Sequence, residues 1–221
     1  MNFWQAFIFD FDGVLVDSVQ VKTEAYRKMF SPFGEDIAER VVQHHLRHGG
    51  LSRFEKFRYY YREFLQQPLE ESDVDRLAAE FSSLVVQAVV AAPEIPGATG
   101  FLEDFAGKVR FFINSGTPEG ELKDILRRRG WETRFLEVRG SPQSKQKNLE
   151  MILKQHALTP SQCLFFGDSP SDYEAATAMK VPFLGFAENE ESPLIQAAPH
   201  IPRVRDFNEA RDWLARFSSA F

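Results

Sequence analysis

The sequence is poor in cysteine and has no long hydrophobic run. Cys163 is the single cysteine among 221 residues, which excludes an intramolecular disulfide and fits a reducing compartment. No apolar stretch approaches the roughly twenty residues that a membrane-spanning helix needs. Because an apolar strand is predicted within the first few residues, we expect no signal peptide. These observations predict a cytoplasmic protein with no membrane partner.

An excess of positive charge is also missing. The chain carries 26 Lys and Arg against 32 Asp and Glu, a net charge of −6. Broad nucleic-acid binding needs the opposite balance, because its affinity comes from cationic contacts with phosphates. We therefore predict no nucleic-acid partner. A Gly-x-x-x-x-Gly-Lys-Ser/Thr loop is absent as well, which disfavours a kinase or a nucleotide-hydrolysing machine.

Apolar residues are plentiful, and they alternate between strand and helix patterns. The hydrophobic fraction is 43% and includes 22 phenylalanines, enough for a sizeable core. Strands are predicted over 5–10, 109–114, 134–138, 162–167 and 182–186, with a weaker one over 200–204. Helices are predicted over 99–106, 118–129, 145–156, 171–179 and 206–217. The alternation predicts an α/β fold, a parallel sheet with helices on both faces.

The segment 17–93 has no comparable strand pattern. Four helices are predicted there, over 19–30, 35–46, 52–66 and 71–90. A return linker rich in proline and glycine, Pro93-Glu94-Ile95-Pro96-Gly97, then interrupts regular structure. We predict an all-helical module of residues 17–93 inserted into an α/β core of residues 1–16 and 94–221.

Acidic side chains follow the first predicted strand. Asp10 and Asp12 end the apolar run, and Gly13 follows, where the backbone can turn sharply. Alternation along an extended chain puts residues i and i+2 on one side, at the sheet edge where open α/β folds bind ligands. Two carboxylates so close repel each other unless a cation lies between them or one keeps a proton. The sequence therefore predicts a small reactive site at this edge.

Two later strands end in residues of related chemistry. The strand 109–114 runs into Ser115-Gly116-Thr117-Pro118, where a capping residue and a proline predict a helix start. The Ser115 hydroxyl and the backbone N–H groups around Gly116 form a candidate phosphate cradle.

A second acidic pair follows the strand 162–167. Asp168 ends this strand, and Asp172 comes four residues later at another predicted helix start. Oxygen ligands of this kind are the ones that Mg²⁺ prefers in proteins. Taken alone, the pair fits a capped helix with two surface acids as well as it fits a metal site.

These motifs, in this order, resemble those of the haloacid dehalogenase-like hydrolase superfamily, in its phosphatase and β-phosphoglucomutase-like branch. The resemblance spans essentially the whole chain and implies a Rossmann-like three-layer core with a helical cap over the active site. It implies that Asp10 is a phosphoryl-accepting nucleophile and Asp12 a general acid/base. It also places Ser115 and Gly116 at the phosphate.

The resemblance further implies Mg²⁺ as the cofactor. Its protein ligands would be Asp10, the backbone carbonyl of Asp12, and Asp168. Asp172 would act behind these ligands or through water. The family also places a lysine near a helix start to neutralise the nucleophile. We favour Lys145 for this role, because its helix would begin near Ser144, and Lys147 is the second candidate. No proline follows either lysine, as one often does in the family.

The predicted cap has a locally reversed charge. Residues 44–62 carry five Lys and Arg against the single acid Glu55, which suggests an anion site because arginine grips phosphate or carboxylate well. The stretch Gly50-Leu51-Ser52-Arg53 resembles the specificity loop of β-phosphoglucomutases, which implies that Arg53 contacts a substrate phosphate. Gly50, Ser52, Arg53 and Lys56 are therefore candidate substrate-binding residues.

The helix after Ser52 is predicted to bury an aromatic face. That face consists of Phe54, Phe57, Tyr61 and Phe64, with Arg53, Lys56 and Tyr60 in the adjacent stripe. His44, His45 and His48 have no acid or cysteine at a metal-ligand spacing. We expect them to be polar cap residues, one of them near the substrate.

The function that follows is a Mg²⁺-dependent phosphatase acting on a small phosphorylated metabolite through an aspartyl-phosphate. A sugar phosphate or a similar anionic ester is the expected substrate, and the protein is expected to be a monomer or a weak homodimer. A β-phosphoglucomutase-like mutase is the alternative that the Gly50–Arg53 loop favours. The mutase lysines expected within 72–92 and soon after Ser115 are absent.

Other members of the superfamily fit less well. A haloacid dehalogenase needs no acid at position 12. A phosphonatase needs a cap lysine that forms a Schiff base, and neither Lys22, Lys28 nor Lys56 stands in a distinctive sequence context. A catalytically idle interaction protein would be expected to lose a motif residue, whereas Asp10, Asp12, Ser115 and Asp168 are all present.

Overall fold

One six-stranded parallel sheet organises the core. The computed structural model describes residues 4–218. The strands are β1 (Ala6–Phe9), β2 (Arg110–Pro118), β3 (Glu137–Ser141), β4 (Cys163–Gly167), β5 (Phe183–Phe186) and β6 (Arg203–Val204). They are ordered β3-β2-β1-β4-β5-β6, and every neighbouring pair is parallel. The carboxyl ends of the strands therefore meet at one edge.

Ten α-helices lie within residues 4–218, and the last six cover the two faces of the sheet. The first four are α1 (Val19–Phe30), α2 (Glu35–Arg47), α3 (Arg53–Tyr59) and α4 (Glu71–Ala91). The remaining six are α5 (Ala98–Phe105), α6 (Glu119–Arg128), α7 (Lys145–Gln155), α8 (Pro170–Ala178), α9 (Pro193–Ala197) and α10 (Phe207–Ser218). One hydrophobic cluster joins the sheet to α5, α6 and α10, and a second joins its other face to α7, α8 and α9. The predicted three-layer α/β fold is confirmed.

Strand β1 lies at the centre of the sheet, between β2 and β4. All four of its residues are buried, as expected for a parallel strand covered on both faces. Phe9 stacks on Phe166 of β4 with ring centroids 4.8 Å apart and contacts Phe207 of α10. This packing fixes the end of β1, and with it the position of the residue that follows.

Helices α1 to α4 lie between β1 and β2 in the chain and make up the predicted cap. Two paired segments connect them to the sheet. The Asp17 N–H donates to the Pro93 carbonyl at 2.9 Å, and the Ile95 N–H donates to the Leu15 carbonyl at 3.1 Å. An antiparallel bridge between Val16 and Glu94 lies between these bonds. The pairing coincides with the predicted boundaries at 16/17 and 93/94, and the division into two domains stays a prediction.

The buried face of α3 differs from the predicted one. Arg53, Lys56, Phe57 and Tyr60 are buried, whereas Phe54, Tyr61 and Phe64 are only half-buried. The apolar pattern was misleading because Arg53 and Lys56 have polar partners inside the protein. The predicted single helix over 52–66 also ends earlier, and a π-helical turn over Tyr60–Leu65 continues it.

Most other predicted elements lie close to their observed bounds, with three differences. β2 continues to Pro118, through the predicted helix start, β3 covers Glu137–Ser141 rather than 134–138, and α9 was not predicted. The weak strand predicted over 200–204 is the short β6. Within the described residues, no helix combines the length and the apolar character that crossing a membrane would require.

A core arginine holds the C-terminal end of the last cap helix. Nη1 of Arg129 donates to the carbonyls of Val89, Val90 and Ala92 at 3.0, 2.8 and 2.8 Å. The last carbonyls of a helix have no partner within the helix itself, so this guanidinium satisfies the end of α4 and ties the cap to the core.

We expect the substitution Arg129→Met to lower the free energy of unfolding by about 1–3 kcal/mol, because it leaves these carbonyls unpaired. Urea unfolding measures the change. The matched control is Arg128→Met, which removes only an exposed partner of Asp124 and Gln87 and should cost less than about 1 kcal/mol. Equal losses in the two variants would contradict the assigned role.

Candidate active site

The candidate nucleophile is buried beside a lysine. Asp10 follows β1 directly and is 2% exposed. Its Oδ1 accepts from the Phe11 N–H at 2.6 Å, and its Oδ2 lies 2.7 Å from Nζ of Lys145. Burial raises the pKa of Asp10 to about 7, against the opposing effect of Lys145 and with a further increase from the charge of Asp172.

Three carboxylates share this site. Oxygen atoms of Asp10, Asp168 and Asp172 lie within 4.8 Å of one another. Asp172 sits in the first turn of α8, where it accepts from Ser169 Oγ and Ser169 N–H in a capping box. Lys145 contacts both Asp10 and Asp172. One lysine against three carboxylates leaves an excess of negative charge.

Asp168 is the member of the cluster that lacks a partner for its negative charge. No hydrogen bond or ion pair from any residue within 4–218 reaches its carboxylate. Burial and then the charges of Asp10 and Asp172 raise its pKa well above the usual range. A hard divalent cation prefers such oxygen donors, and its charge would offset the repulsion among the carboxylates. The donor set therefore fits a divalent metal ion.

The two candidate lysines occupy very different positions. Lys145 is the first residue of α7, with Ser144 as N-cap, and is 6% exposed. Lys147 points outward and pairs with Glu150 at 2.8 Å. The structure therefore brings Lys145, and not Lys147, to the acidic cluster. Sequence reasoning missed Asn114, whose side chain donates to the Lys145 carbonyl at 2.8 Å and ties the start of α7 to β2.

Asp12 bridges the core and the cap. It accepts from Ser18 Oγ at 2.6 Å and from Thr117 Oγ1 at 2.8 Å, and it pairs with Lys22 of α1. Burial acts to raise the pKa of Asp12, but the Lys22 charge and these hydrogen bonds outweigh it and hold the pKa below its usual value. Asp12 is therefore a carboxylate here.

The sequence did not predict the contacts of Lys22 and Thr117 with Asp12. Ser18 and Lys22 are four residues apart, which puts them on one face of a helix. This spacing was the available signal, because a residue on the same helix face as Ser18 lies near Asp12 when Ser18 does. Thr117 gave no comparable signal, since its contact with Asp12 spans 105 residues of sequence.

The cap loop touches the phosphate cradle. Ser115 is 1% exposed, and its Oγ accepts from the Thr117 N–H at 3.2 Å. A Cβ at Gly116 would lie 2.4 Å from the Gly50 carbonyl oxygen, and one at Gly50 would lie 2.7 Å from Lys145 Nζ. Gly50 also has φ +80°. Any larger residue at either glycine would push the loop away, so this close approach requires both glycines.

Ser52 and Arg53 bond within the protein. Ser52 caps α3 in a reciprocal capping box with Glu55. Arg53 is 4% exposed, and its two terminal nitrogens bond the Glu121 carboxylate of α6 at 2.7 and 2.6 Å. A further bond joins Arg53 to Ser82 of α4 at 2.7 Å. The guanidinium already has a carboxylate partner, and its contact with substrate stays a prediction.

Lys56 lies in the inner wall of the cap. Its Nζ is 2.9 Å from Nδ1 of His45, and both side chains are buried. His44 instead stacks on His48 and Tyr59 with centroids 4.1 and 4.2 Å apart. The three histidines therefore do not converge on a common metal position.

A cleft separates the cap helices from the carboxyl edge of the sheet. It has a volume of about 1360 Å³. Its lining includes the two aspartates after β1, the phosphate cradle, and the cap residues Lys22, Gly50, Arg53 and Lys56. The cleft thus brings most of the predicted site residues to one space.

Comparison with known proteins identifies the class. A model of the haloacid dehalogenase-like hydrolase family matches residues 4–180. The chain therefore belongs to this family, which confirms the resemblance noted in the motifs and the expectation of an enzyme.

Two relatives are similar to this chain over most of their length. The phosphoglycolate phosphatase of Rhodospirillum rubrum is 26% identical over 221 residues, covering 95% of this chain and 90% of that protein. The phosphorylated carbohydrates phosphatase of Thermotoga maritima is 26% identical over 182 residues, covering 78% of this chain and 80% of that protein.

Solved structures share the fold. A predicted phosphatase from Clostridium acetobutylicum has a TM-score of 0.77 at 16% identity, covering 96% of this chain and 99% of that one. A β-phosphoglucomutase from Clostridium difficile has a TM-score of 0.73 at 21% identity, covering 93% and 92%.

The Arg53–Glu121 pair leads to a stability prediction. We expect Glu121→Gln to lower the free energy of unfolding by about 3–5 kcal/mol, because it leaves a buried guanidinium without its counter-charge. The double variant Arg53→Met/Glu121→Leu should recover most of this loss, since neither charge remains. Urea unfolding of the single and double variants measures both effects.

The control for this cycle is Glu119→Gln. Glu119 also lies in α6 but pairs with Lys123 at the surface, so its loss should cost less than about 1 kcal/mol. If Glu121→Gln were as mild as Glu119→Gln, the buried pair would not hold the cap against the core.

Proposed function

We propose that this protein is a Mg²⁺-dependent phosphatase that hydrolyses a small phosphorylated metabolite through an aspartyl-phosphate. One observation carries the proposal, namely the buried Asp10 carboxylate, 2.7 Å from Lys145, within a cluster of three carboxylates at the carboxyl edge of the sheet. The names of the two relatives, which cover phosphoglycolate and phosphorylated carbohydrates, support a small phosphate ester as substrate.

Mg²⁺ suits the donor set of this cluster. Asp10, Asp168 and the backbone carbonyl of Asp12 would hold it, with Asp172 behind them. When bound, the ion offsets the negative charge that Asp10 and the substrate phosphate bring together. Asp168, which has no hydrogen-bond partner among residues 4–218, is the ligand whose loss should weaken metal binding most.

In the first step, one oxygen of Asp10 attacks phosphorus in line with the leaving oxygen. A bond forms between the carboxylate oxygen and phosphorus as the bond to the leaving alcohol breaks, which splits one difficult displacement into two. Lys145 favours the ionised form of Asp10 against the effect of burial, and it lies close enough to contact the phosphate. Ser115 and the N–H groups beside Gly116 hold the other phosphoryl oxygens, because phosphoryl transfer depends mainly on positioning and charge stabilisation.

Asp12 serves as the acid and then as the base. As a carboxylate paired with Lys22, it is ready to accept a proton from the water that cleaves the aspartyl-phosphate. In the first step it must instead donate a proton to the leaving oxygen. Lys22 stands on a cap helix, so a shift of that helix that breaks the pair would remove the charge that favours the carboxylate. The negative charge of the incoming phosphate would then favour the protonated form of Asp12.

The cap loop bears on the choice between phosphatase and mutase. The mutase alternative requires Arg53 to bind a substrate phosphate. In this structure Arg53 instead bonds Glu121. The contact of Gly50 with the phosphate cradle instead supports a cap that closes over a small substrate and excludes bulk water.

The central test is the substitution Asp10→Asn in a phosphate-release assay. A panel of phosphorylated acids and sugars is incubated with Mg²⁺, and inorganic phosphate is measured. We expect the variant to lose at least about 10³-fold of the wild-type rate on every active substrate, because the amide cannot form the intermediate.

The control is Asp212→Asn, an exposed aspartate of α10 that does not line the cleft, which should keep the wild-type rate. Chelation of the metal with EDTA should abolish release, and Mg²⁺ should restore it. Retained activity in Asp10→Asn would exclude the proposed mechanism.

A further inference from the structure

Six lysine and arginine side chains line the cleft or lie directly beneath it, and two of them, Arg47 and Arg205, are exposed. Of the other four, three have carboxylate partners. Lys22 pairs with Asp12, Arg53 with Glu121, and Lys145 with Asp10 and Asp172. The fourth is Lys56 on α3, which is 2% exposed. Within residues 4–218 it forms no ion pair with any carboxylate, and its one hydrogen-bond partner is His45.

Such an arrangement is unfavourable unless a negative group arrives from outside. A buried cation loses its hydration, and the loss is large unless a counter-charge replaces the water. Burial, with the charges of Lys22 and Lys145, lowers the pKa of Lys56 to about 7, although the charges of Asp12 and Asp168 oppose the shift. An anion in the cleft would hold the proton on Lys56 and relieve this cost.

His45 orients the ammonium toward the cleft. Burial and the charge of Lys56 lower the pKa of His45 to about 2, so its ring is neutral and Nδ1 accepts a hydrogen bond from Lys56. The His45 ring is held in turn by Tyr26, with centroids 4.7 Å apart. An ammonium has three N–H donors, which leaves two for a ligand in the cleft that Lys56 and Tyr26 both line.

We propose that Lys56, positioned by His45, binds a carboxylate on the leaving group of the substrate, so that the substrate is a short phosphorylated carboxylic acid. The inference rests on the proposed phosphatase function, since the phosphate of the same molecule occupies the site at Asp10. A phosphorylated sugar offers only hydroxyl groups here, which leaves Lys56 without a counter-charge.

Because Lys56 is a single buried cation, its expected ligand is a carboxylate rather than a second phosphate. A phosphate dianion carries more charge than one ammonium balances, and arginine is the residue that matches it by forked hydrogen bonds. Of the arginines that line the cleft, Arg53 is already bonded to Glu121 and Arg205 to Glu209, and Arg47 is exposed rather than buried beside Lys56. A single lysine with two available donors matches a single carboxylate.

The test compares 2-phosphoglycolate with phosphoglycolamide, an ester of nearly the same shape without the carboxylate charge. The ratio of their kcat/KM values measures the preference for the acid. We expect the wild type to prefer the acid, and Lys56→Met to lower this ratio by about 10–100-fold, because charge-assisted hydrogen bonds carry the difference.

Lys28→Met is the matched control, since Lys28 is an exposed lysine of the same cap and should leave the ratio as in the wild type. Lys56→Gln serves as a second variant, because it removes the charge but keeps a donor should the methionine variant fail to fold. It should lower the ratio as well, whereas Lys56→Arg should restore part of it.

The outcomes separate this inference from the function on which it rests. If the wild type releases no phosphate from either ester or from p-nitrophenyl phosphate, the proposed phosphatase and this inference fail together. If it hydrolyses both esters without preferring the acid, or if the Lys56 variants keep the preference, this inference alone fails. Inactivation by borohydride with phosphonoacetaldehyde, through an imine at Lys56, would also overturn it.

Discussion

The excess of negative charge at the end of β1 is the constraint on which the site depends. The central strand, buried on both faces, delivers Asp10 to a position where water is largely excluded and Asp168 and Asp172 are close neighbours. Burial and mutual repulsion both oppose ionisation of these acids. Lys145 offsets part of the charge, and its place at the start of α7 is secured by Asn114. The remaining negative charge of the three carboxylates is the charge that a bound divalent cation would offset.

Charge balance also describes how the cap meets the core. Lys22 reaches from α1 to Asp12, and Arg53 reaches from α3 to Glu121. Both pairs join a cap cation to a core carboxylate, and through Lys22 the position of the cap is coupled to the protonation of Asp12. Lys56 is the exception, because its partner His45 is neutral and belongs to the cap itself. Among the buried cations of the cleft, Lys56 is therefore the one without a carboxylate partner within residues 4–218, which suits a substrate with a second negative group besides the phosphate.

The fold and the core of the site were predictable because their signals are local. Each apolar run ends directly in the residue that reaches the site, as Asp10 and Asp168 do, and Lys145 follows its capping serine within one residue. The pairs between cap and core carry no such signal. Arg53 and Glu121 are 68 residues apart, and nothing near either one indicates the other. The predicted buried face of α3 was wrong for a related reason. Arg53 and Lys56 are buried because Glu121 and His45 provide hydrogen-bond partners inside the protein, and the apolar pattern of α3 gives no sign of these contacts. The roles assigned to Ser52, Arg53 and Lys56 at the substrate stay predictions.

The covalent intermediate on Asp10 is the claim that a single measurement tests most directly. The protein is mixed with Mg²⁺ and p-nitrophenyl phosphate, quenched in acid within milliseconds, digested, and mapped by mass spectrometry. The account predicts one added phosphoryl group, labile to hydroxylamine as an acyl phosphate is, on the peptide that contains Asp10 and at that residue. A phosphoryl group on any other residue, or rapid release of p-nitrophenol with no modified protein at any time, would contradict it.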